Sequence, residues 1–323
     1  MRKKGSSVSR KQSEGLKKMI FIAGGTGFIG KHLIRALKEK GYASRCLARK
    51  RERAALCEET GFEVAVGDIT DRESLRRRLD GAEMVVHLVG IIEERNGVTF
   101  EKVHVEGTAN LVDEAKAAGV KHFFYQSALG ASPESPAKYH RTKAEAEEIV
   151  KGSGLPFTIF RPSLVIGEKD GFTEKLKDLV RLAPVVAIPG SGNARFQPID
   201  VDDLVKCLLA IIDNKDAFGR TYELGGPDHL TYNELVAQLM DVMGVKKPLV
   251  HLPIVLAKAG IPFVGLAQSI GKFFGKEVPT VTAEQLSLLE QDNICAPDAV
   301  EKSFKFRPIP YKDALRKFIL SSR

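Results

Sequence analysis

The chain has 323 residues, a formal net charge of +8 and an apolar fraction of 43%. This length allows one large domain or a domain with a smaller lobe, and the apolar fraction is ordinary for a soluble globular protein. Residues 1–18 alone carry a net charge of +6, which leaves only +2 for the rest of the chain. A nearly neutral body argues against nucleic acid as a partner, and we interpret residues 1–18 as a basic disordered tail.

The tail contains no apolar stretch of the kind found in secretory signals. Its serines and basic residues also fit an organelle transit peptide or contact with an acidic membrane surface. The four cysteines, at positions 46, 57, 207 and 295, do not have the spacing of a metal site. We therefore expect no metal, and reduced thiols in a cytoplasmic protein.

A glycine-rich turn between a strand and a helix opens the predicted fold. The apolar run Met19–Ala23 predicts a buried strand, and a helix is predicted from Phe28 to Lys40. Between them, Gly24 allows a tight turn, Gly27 allows a pyrophosphate to approach the backbone, and Gly30 allows the helix to pack on the strand. The helix N-terminus offers free N–H groups to phosphates. The predicted dinucleotide loop comprises Gly24, Thr26, Gly27, Phe28, Ile29 and Gly30.

Strands and helices alternate along the chain as far as Phe160. Further strands are predicted at Ala43–Ala48, Phe62–Val66, Met84–Val89, His122–Gln126 and Phe157–Phe160. Helices are predicted at Glu52–Thr60, from Thr70 to about Asp80, at Phe100–Ala118 and from Ser135 to Lys151. We expect Thr70 and Glu73 to form a capping box, and Ser135 to be an N-cap. The alternation predicts an α/β fold with a Rossmann-type, doubly wound parallel sheet that binds ligands at the carboxyl ends of its strands.

Beyond Ser163 the alternation is looser. The predicted elements are a strand at Phe196–Ile199, a helix at Asp200–Ile212, a strand at Thr221–Leu224, and a helix from a capping box at Thr231 and Glu234 to Met243. We divide the chain into the tail (1–18), an NAD(P)-binding Rossmann domain (19–228) and a smaller, mainly helical C-terminal lobe for substrate or partner binding (229–323).

The stretch Leu252–Phe274 is strongly apolar but contains prolines, glycines and lysines. A membrane-spanning helix requires about twenty apolar residues without such breaks. We therefore expect a buried or surface-docking pair of helices, with monotopic membrane contact as the lesser alternative.

The residues after the second, third and fourth strands are expected to bind the cofactor. Arg49 ends the second strand, where a basic residue accommodates the 2′-phosphate of NADP and an acidic residue favours NAD. The sequence therefore favours NADP(H) over NAD(H). Asp68 is predicted to accept a hydrogen bond from adenine or to form a turn. The other residues assigned to cofactor binding are Ile69, Leu88, Val89, Gly90, Lys143 and Pro162.

Tyr139 and Lys143 are four residues apart on a predicted helix and so share one face. A lysine ammonium favours a phenolate, so we expect Lys143 to lower the pKa of Tyr139 and make it a proton donor or acceptor. Ser127, at the end of the fifth strand, is expected to orient the substrate oxygen. We interpret His87 as a core residue, and we expect His140 to point away from the face that carries Tyr139.

These motifs, in this order, resemble the short-chain dehydrogenase/reductase superfamily in its atypical and extended branch, the NAD-dependent epimerase/dehydratase-like group. The resemblance also includes Gly67–Asp68 and Arg161–Pro162–Ser163. A narrower resemblance, to the group around the nucleotide-binding accessory subunit of respiratory complex I, rests on five segments. They are His87–Gly90, Val103–Thr108, Ser127–Gly130, Tyr139–Glu145 and Tyr222–Pro227.

The superfamily resemblance implies an NADPH-dependent oxidoreductase that acts on an unidentified carbonyl or alcohol substrate. The narrower resemblance implies an NADPH-binding accessory or assembly protein without turnover, associated with a respiratory or other membrane complex at the inner face of a membrane. A nucleotide-sugar epimerase or dehydratase is a weaker alternative. Only twelve positions separate Ser127 from Tyr139, where epimerases of the extended branch usually carry a longer insertion.

Overall fold

The computed structural model describes residues 18–256 and 282–320. Most of the basic tail and residues 257–274 of the predicted apolar stretch lie outside these ranges. Among the described residues, no helix is both long and apolar enough to cross a membrane.

Thirteen strands are present in the described ranges. They are β1 (Met19–Ala23), β2 (Ala43–Ala48), β3 (Glu63–Val66), β4 (Met84–His87), β5 (His122–Gln126), β6 (Phe157–Pro162), β7 (Val165–Ile166), β8 (Val186–Pro189), β9 (Arg195–Phe196), β10 (Ile199–Asp200), β11 (Arg220–Leu224), β12 (Leu230–Thr231) and β13 (Leu249–Leu252). Seven of them form the central sheet in the order β3-β2-β1-β4-β5-β6-β11. All its pairings are parallel, as the predicted Rossmann fold requires.

The helices connect these strands and extend to the C-terminus. They are α1 (Phe28–Glu39), α2 (Ala55–Glu59), α3 (Arg72–Leu75), α4 (Gly107–Ala117), α5 (Lys138–Gly152), α6 (Gly171–Leu182), α7 (Val201–Ile211), α8 (Tyr232–Met243), α9 (Ala283–Leu288), α10 (Ala299–Phe304) and α11 (Tyr311–Ile319). Two short 3₁₀ turns, Arg51–Ala54 and Lys215–Ala217, precede α2 and β11. A π-helical turn, Glu101–Glu106, leads into α4.

Both faces of the central sheet are buried because side chains alternate along each strand. On β1, Ile20 and Ile22 belong to the core beneath α1 and α7, whereas Phe21 and Ala23 belong to the core beneath α4 and α5. A third core joins α6, β8, α8 and α11. Its residues come from both sides of position 228, the predicted boundary between the Rossmann domain and the C-terminal lobe. Chain segments 166–196 and 232–243 therefore pack together.

Three local predictions were wrong. The N-cap of α3 is Asp71, whose side chain accepts from the amide of Ser74, and the helix has only four residues. Helix α5 begins at Lys138 after Ala137, which has no side-chain cap, rather than at Ser135. The single strand predicted at Phe196–Ile199 is instead two short strands, β9 and β10, which pair with different partners. The predicted capping box of α8 at Thr231 and Glu234 is present.

Candidate functional site

The glycine-rich turn has the geometry that its sequence predicts. Gly24 has a φ of +96°, in the region that favours glycine, and the Gly27 amide donates to its carbonyl over 3.0 Å. A Cβ on Gly30 would lie 2.2 Å from the carbonyl oxygen of Gly24. Helix α1 starts directly after Gly27, which provides no side-chain cap, so the first-turn amides remain available to an anion.

The loop after β4 lies against this turn. A Cβ on Gly24 would lie 2.9 Å from the carbonyl carbon of Leu88 and 3.0 Å from the amide nitrogen of Val89. On the other side of the same loop, a Cβ on Gly90 would lie 3.8 Å from Lys143 Nζ. The glycine-rich turn, the loop after β4 and the lysine of α5 therefore form one continuous surface at the carboxyl edge of the sheet.

Arg49 lies at the carboxyl end of β2 with its side chain exposed. Among the residues that the structure describes, it forms no hydrogen bond or ion pair, whereas nearby Arg51 pairs with Glu58 over 2.8 Å. A guanidinium without a protein partner at this position suits a ribose phosphate.

The turn role of Asp68 is present in the structure. Its Oδ1 accepts from both the amide (2.9 Å) and the hydroxyl (3.0 Å) of Thr70, which closes an Asx turn. Ile69 is buried against Gly107, where a Cβ would lie 2.6 Å from its Cδ1. The Ile69 carbonyl accepts from Asn110 Nδ2 over 2.8 Å, so α4 fixes this end of the site.

Lys143 and Tyr139 line the inner face of α5, as predicted. Lys143 is buried, and its ammonium donates to the carbonyl of Gln126 over 2.6 Å and lies 4.5 Å from the ring centre of Tyr125. Tyr139 is half-buried and packs edge-on against Phe100 and His104.

The predicted lowering of the pKa of Tyr139 is wrong in this structure. Burial raises the pKa of Tyr139 to about 12. Burial also lowers the pKa of Lys143 to about 7, an effect that Glu147 partly offsets, so the lysine is only partly charged near neutrality. Tyr139 therefore keeps its proton at neutral pH, which suits a proton donor.

Ser127 is buried directly after the end of β5. Its hydroxyl is buried and has no hydrogen-bond partner within the described residues. Arg161 binds the carboxylate of Glu147 through two hydrogen bonds, of 2.8 and 2.7 Å. Burial alone would raise the pKa of Glu147, but Arg161 and the Ser127 hydroxyl bring it below its usual range. The ion pair of Glu147 and Arg161 thus lies one helical turn beyond Lys143 on α5.

Buried polar atoms without partners also lie at the end of β5. Gln126 Oε1 is buried and accepts no hydrogen bond within the described part of the chain. Such atoms are uncommon in folded proteins and fit a position where a ligand completes the hydrogen bonding. Pro162 lies on the neighbouring strand, where its carbonyl accepts from the amide of Leu129 over 2.9 Å.

His104 is a site residue that the sequence analysis did not select. It lies in the π-helical turn, a type of distortion often found at functional sites. Thr142 donates its hydroxyl proton to the backbone of α5, so we assign the proton of His104 to Nδ1, which donates to Thr142 Oγ1 over 2.9 Å. Nε2 then accepts from the Ile91 amide over 3.1 Å. His104 thus ties the loop after β4 to α5, and its one sequence signal was its place in the segment Val103–Thr108.

The two histidines considered in the sequence analysis, His87 and His140, do not contact Lys143 or Tyr139 through hydrogen bonds. His87 is fully buried, with Nε2 3.0 Å from Thr108 Oγ1, which agrees with its interpretation as a core residue. His140 Nδ1 lies 3.3 Å from Ser135 Oγ. No cluster of histidine, cysteine or acidic residues suited to a metal ion occurs within residues 18–256 and 282–320.

Comparison with known proteins identifies the family. The profile of the NmrA-like family matches residues 16–291. The chain belongs to the NmrA-like family. One relative is NADH dehydrogenase [ubiquinone] 1 alpha subcomplex subunit 9, mitochondrial, of Arabidopsis thaliana, which is 31% identical over 245 residues, or 74% of this chain and 61% of that protein. The match therefore spans less than two thirds of that subunit.

Two further proteins are similar to this NmrA-like protein. A ceramide reductase of Caulobacter vibrioides is 31% identical over 242 residues, covering 73% of this chain and 74% of that enzyme. The structure of an NADPH-dependent quinone oxidoreductase of Escherichia coli, complexed with NADPH, superimposes with a TM-score of 0.73 at 20% identity, over 93% of this chain and 99% of that one. The predicted short-chain dehydrogenase/reductase resemblance, including the complex I group, is confirmed, as is the Rossmann fold.

Proposed function

We propose that this NmrA-like protein is an NADPH-dependent oxidoreductase that reduces a carbonyl group, with Tyr139 as the proton donor. The observation that carries the proposal is the continuous surface from Gly24 through Leu88–Gly90 to Lys143. A dinucleotide that follows this surface has its pyrophosphate on the N-terminus of α1 and its nicotinamide end beside Lys143.

The chain offers a suitable group for each part of NADPH. The amides after Gly27 would bind the pyrophosphate, and Arg49 would bind the 2′-phosphate. Lys143 would hold the nicotinamide ribose, and its ammonium lies at the carboxyl end of β5, where it donates to the backbone carbonyl of Gln126. The residues present therefore fit NADPH, with Arg49 as the reason to prefer it over NADH.

The protein's part in the reaction is orientation and proton transfer. The bound cofactor supplies the hydride. Tyr139, protonated because burial raises its pKa to about 12, donates its phenolic proton to the oxygen of the substrate as negative charge develops there. Lys143 lies on the same face of α5, and the protonated form of its amine stabilises the phenolate that remains.

Ser127 has two possible roles that one substitution separates. It orients the substrate carbonyl if its hydroxyl turns away from Glu147, and it supports the Glu147–Arg161 pair if it does not. Ser127→Ala lowers kcat in the first case. In the second case it lowers the free energy of unfolding and leaves kcat unchanged.

The test of the proposed activity is NADPH oxidation, followed at 340 nm, with a panel of ketones, aldehydes and quinones. We expect the wild-type protein to oxidise NADPH with at least one of them. Tyr139→Phe should bind NADPH normally and lose about 100-fold in turnover, because it removes a general acid. Tyr222→Phe is the matched control and should leave turnover unchanged. Tyr222 lies on the edge strand β11, where its ring packs between Phe160 and Phe304. Unchanged turnover in Tyr139→Phe would contradict the assignment.

A second candidate is an accessory or assembly protein that binds NADPH without turnover and associates with a membrane complex. The similarity to the Arabidopsis complex I subunit supports this candidate. So do the exposed side chains of Val255 and Leu256, at the start of the apolar stretch that continues beyond the described residues. Tight NADPH binding without oxidation by any member of the panel, together with salt-resistant co-purification with membranes, would favour it.

A further inference from the structure

The N-terminus of α5 carries Tyr139 but has no cap of its own. Ala137 precedes the helix and provides no side-chain hydrogen bond. The first amides of a helix have no partner within it, so the amide of Tyr139 needs an acceptor from elsewhere. That acceptor is Glu284 Oε1, 2.8 Å away on α9 and 145 positions along the chain. A carboxylate at this end of a helix is also favoured by the helix dipole.

Helix α9 begins a segment, residues 282–295, that we call the strap. A capping box between Thr282 and Gln285 fixes the first turn of α9. From that turn, Gln285 Nε2 donates to the carbonyl of Ile92 over 3.3 Å, in the loop that also carries Gly90. The first turn of the strap therefore touches both sides of the nicotinamide end of the site: the loop after β4 and the helix of Tyr139.

The far end of the strap is anchored to the next two strands. Asn293 Nδ2 donates to the carbonyl of Leu129 over 3.0 Å, beyond β5. Ser163 Oγ, beyond β6, donates to the backbone carbonyl of Asn293 over 2.7 Å. The amide of Cys295 donates to Gln197 Oε1 over 2.8 Å. The strap thus crosses the carboxyl ends of β4, β5 and β6, where the substrate of the proposed reaction would lie.

We propose that Glu284 is a positioning residue for Tyr139: its carboxylate fixes the first turn of α5 and so holds the phenol in place over the nicotinamide end of the site. The proposal rests on the proposed function for its catalytic meaning. The contact itself does not depend on turnover, which allows the two to be tested apart.

The experiment uses the full-length protein labelled with ¹³Cζ-tyrosine, which gives one resonance for each of its six tyrosines. Tyr139→Phe assigns the resonance of interest. In Glu284→Ala we expect that resonance to shift and broaden, and hydrogen exchange at the Tyr139 amide to become about tenfold faster. Glu284→Gln keeps an acceptor oxygen and should behave as wild type. Glu284→Asp, which is one methylene shorter, should resemble Glu284→Ala.

Thr231→Ala is the matched control. It removes the cap of α8, which begins at Tyr232, and so should disturb the resonance of Tyr232 but not that of Tyr139. If Glu284→Ala and Glu284→Asp leave the resonance and amide exchange of Tyr139 unchanged, Glu284 only tethers the strap and the proposal is wrong. Should Glu284→Ala fail to fold, the contrast between Glu284→Asp and Glu284→Gln decides.

NADPH titration of the same variants separates this proposal from the proposed function. We expect the Kd of Glu284→Ala to remain within about twofold of wild type, because Glu284 contacts α5 rather than the phosphate-binding turn. If the protein is active, kcat should be lower than wild type in Glu284→Ala and equal to wild type in Glu284→Gln, with the Kd for NADPH unchanged in both. A wild-type protein that does not bind NADPH would refute the function and leave the positioning of Tyr139 standing. If the wild-type protein binds NADPH but Tyr139 is undisturbed in Glu284→Ala and Glu284→Asp, the positioning role of Glu284 is refuted and the proposed function stands.

Discussion

Replacing Lys143 by methionine should make the protein more stable at pH 6, and this gain should shrink as the pH rises toward 9. Lys143 is buried, and burial lowers its pKa from 10.5 to about 7. Between pH 7 and pH 10.5, Lys143 is protonated in the unfolded chain but not in the folded protein. The stability of the wild-type protein therefore rises with pH across this window, and the burial penalty is fully present below pH 7.

The magnitude follows from the two pKa values. Each tenfold difference in proton affinity is worth about 1.4 kcal/mol, so the penalty on the wild-type protein is about 5 kcal/mol at pH 6 and about 2 kcal/mol at pH 9. Lys143→Met removes this penalty and also leaves the carbonyl of Gln126 without its donor, at a cost of about 1–3 kcal/mol. That cost does not depend on pH. The stability difference between variant and wild type should therefore shrink by about 3 kcal/mol from pH 6 to pH 9.

Urea denaturation of both proteins at pH 6, 7, 8 and 9 measures this difference. Contributions from other titrating groups cancel when the two curves are subtracted. Lys116→Met, on the exposed side of α4, is the control and should give a difference that does not change with pH. If the stability difference between Lys143→Met and wild type also does not change with pH, Lys143 is not the buried, partly neutral lysine on which the proton chemistry of the site depends.

Three further predictions concern binding and stability. Gly24→Ala should lower NADPH affinity at least about 100-fold in a fluorescence titration, because a Cβ would lie 2.9 Å from the Leu88 backbone and strain the turn. Arg49→Ala should weaken NADPH binding about 10- to 100-fold and leave NADH binding unchanged, since only NADPH carries the 2′-phosphate; equal losses for both would contradict the role of Arg49. Arg161→Met should lower the free energy of unfolding by about 3–5 kcal/mol in urea, because it leaves the buried Glu147 carboxylate without its partner.

The sequence predicted those parts of the fold that follow from local patterning. The apolar run before Gly24, the glycine spacing and the alternation of strands with helices together predicted the parallel sheet and the edge at which ligands bind. Tyr139 and Lys143 share a face of α5 because they are four residues apart. Arg49 and the loop Leu88–Gly90 follow from the rule that parallel strands direct their carboxyl ends to one edge.

The failures concern burial and contacts between distant residues. Lys143 was expected to act on Tyr139 as a charge, but desolvation dominates the pKa of both groups, and burial depth is not visible in a four-residue spacing. The buried ion pair of Glu147 and Arg161 was not predicted, because its two residues come from α5 and β6 and no local pattern connects them. Ser135 was expected to cap α5, whereas the first-turn amide of Tyr139 is satisfied by Glu284 from the far end of the chain. No local pattern could indicate that contact.

Nucleotide binding by the purified full-length protein tests the central claim most directly. The protein would be denatured to identify any nucleotide that it carries, and a sample free of nucleotide would be titrated with NADPH and with NADH. We predict one dinucleotide per chain, bound more tightly as NADPH than as NADH. If neither dinucleotide binds, the site formed by Gly24, Leu88–Gly90 and Lys143 is not a cofactor site, and the proposed function is wrong.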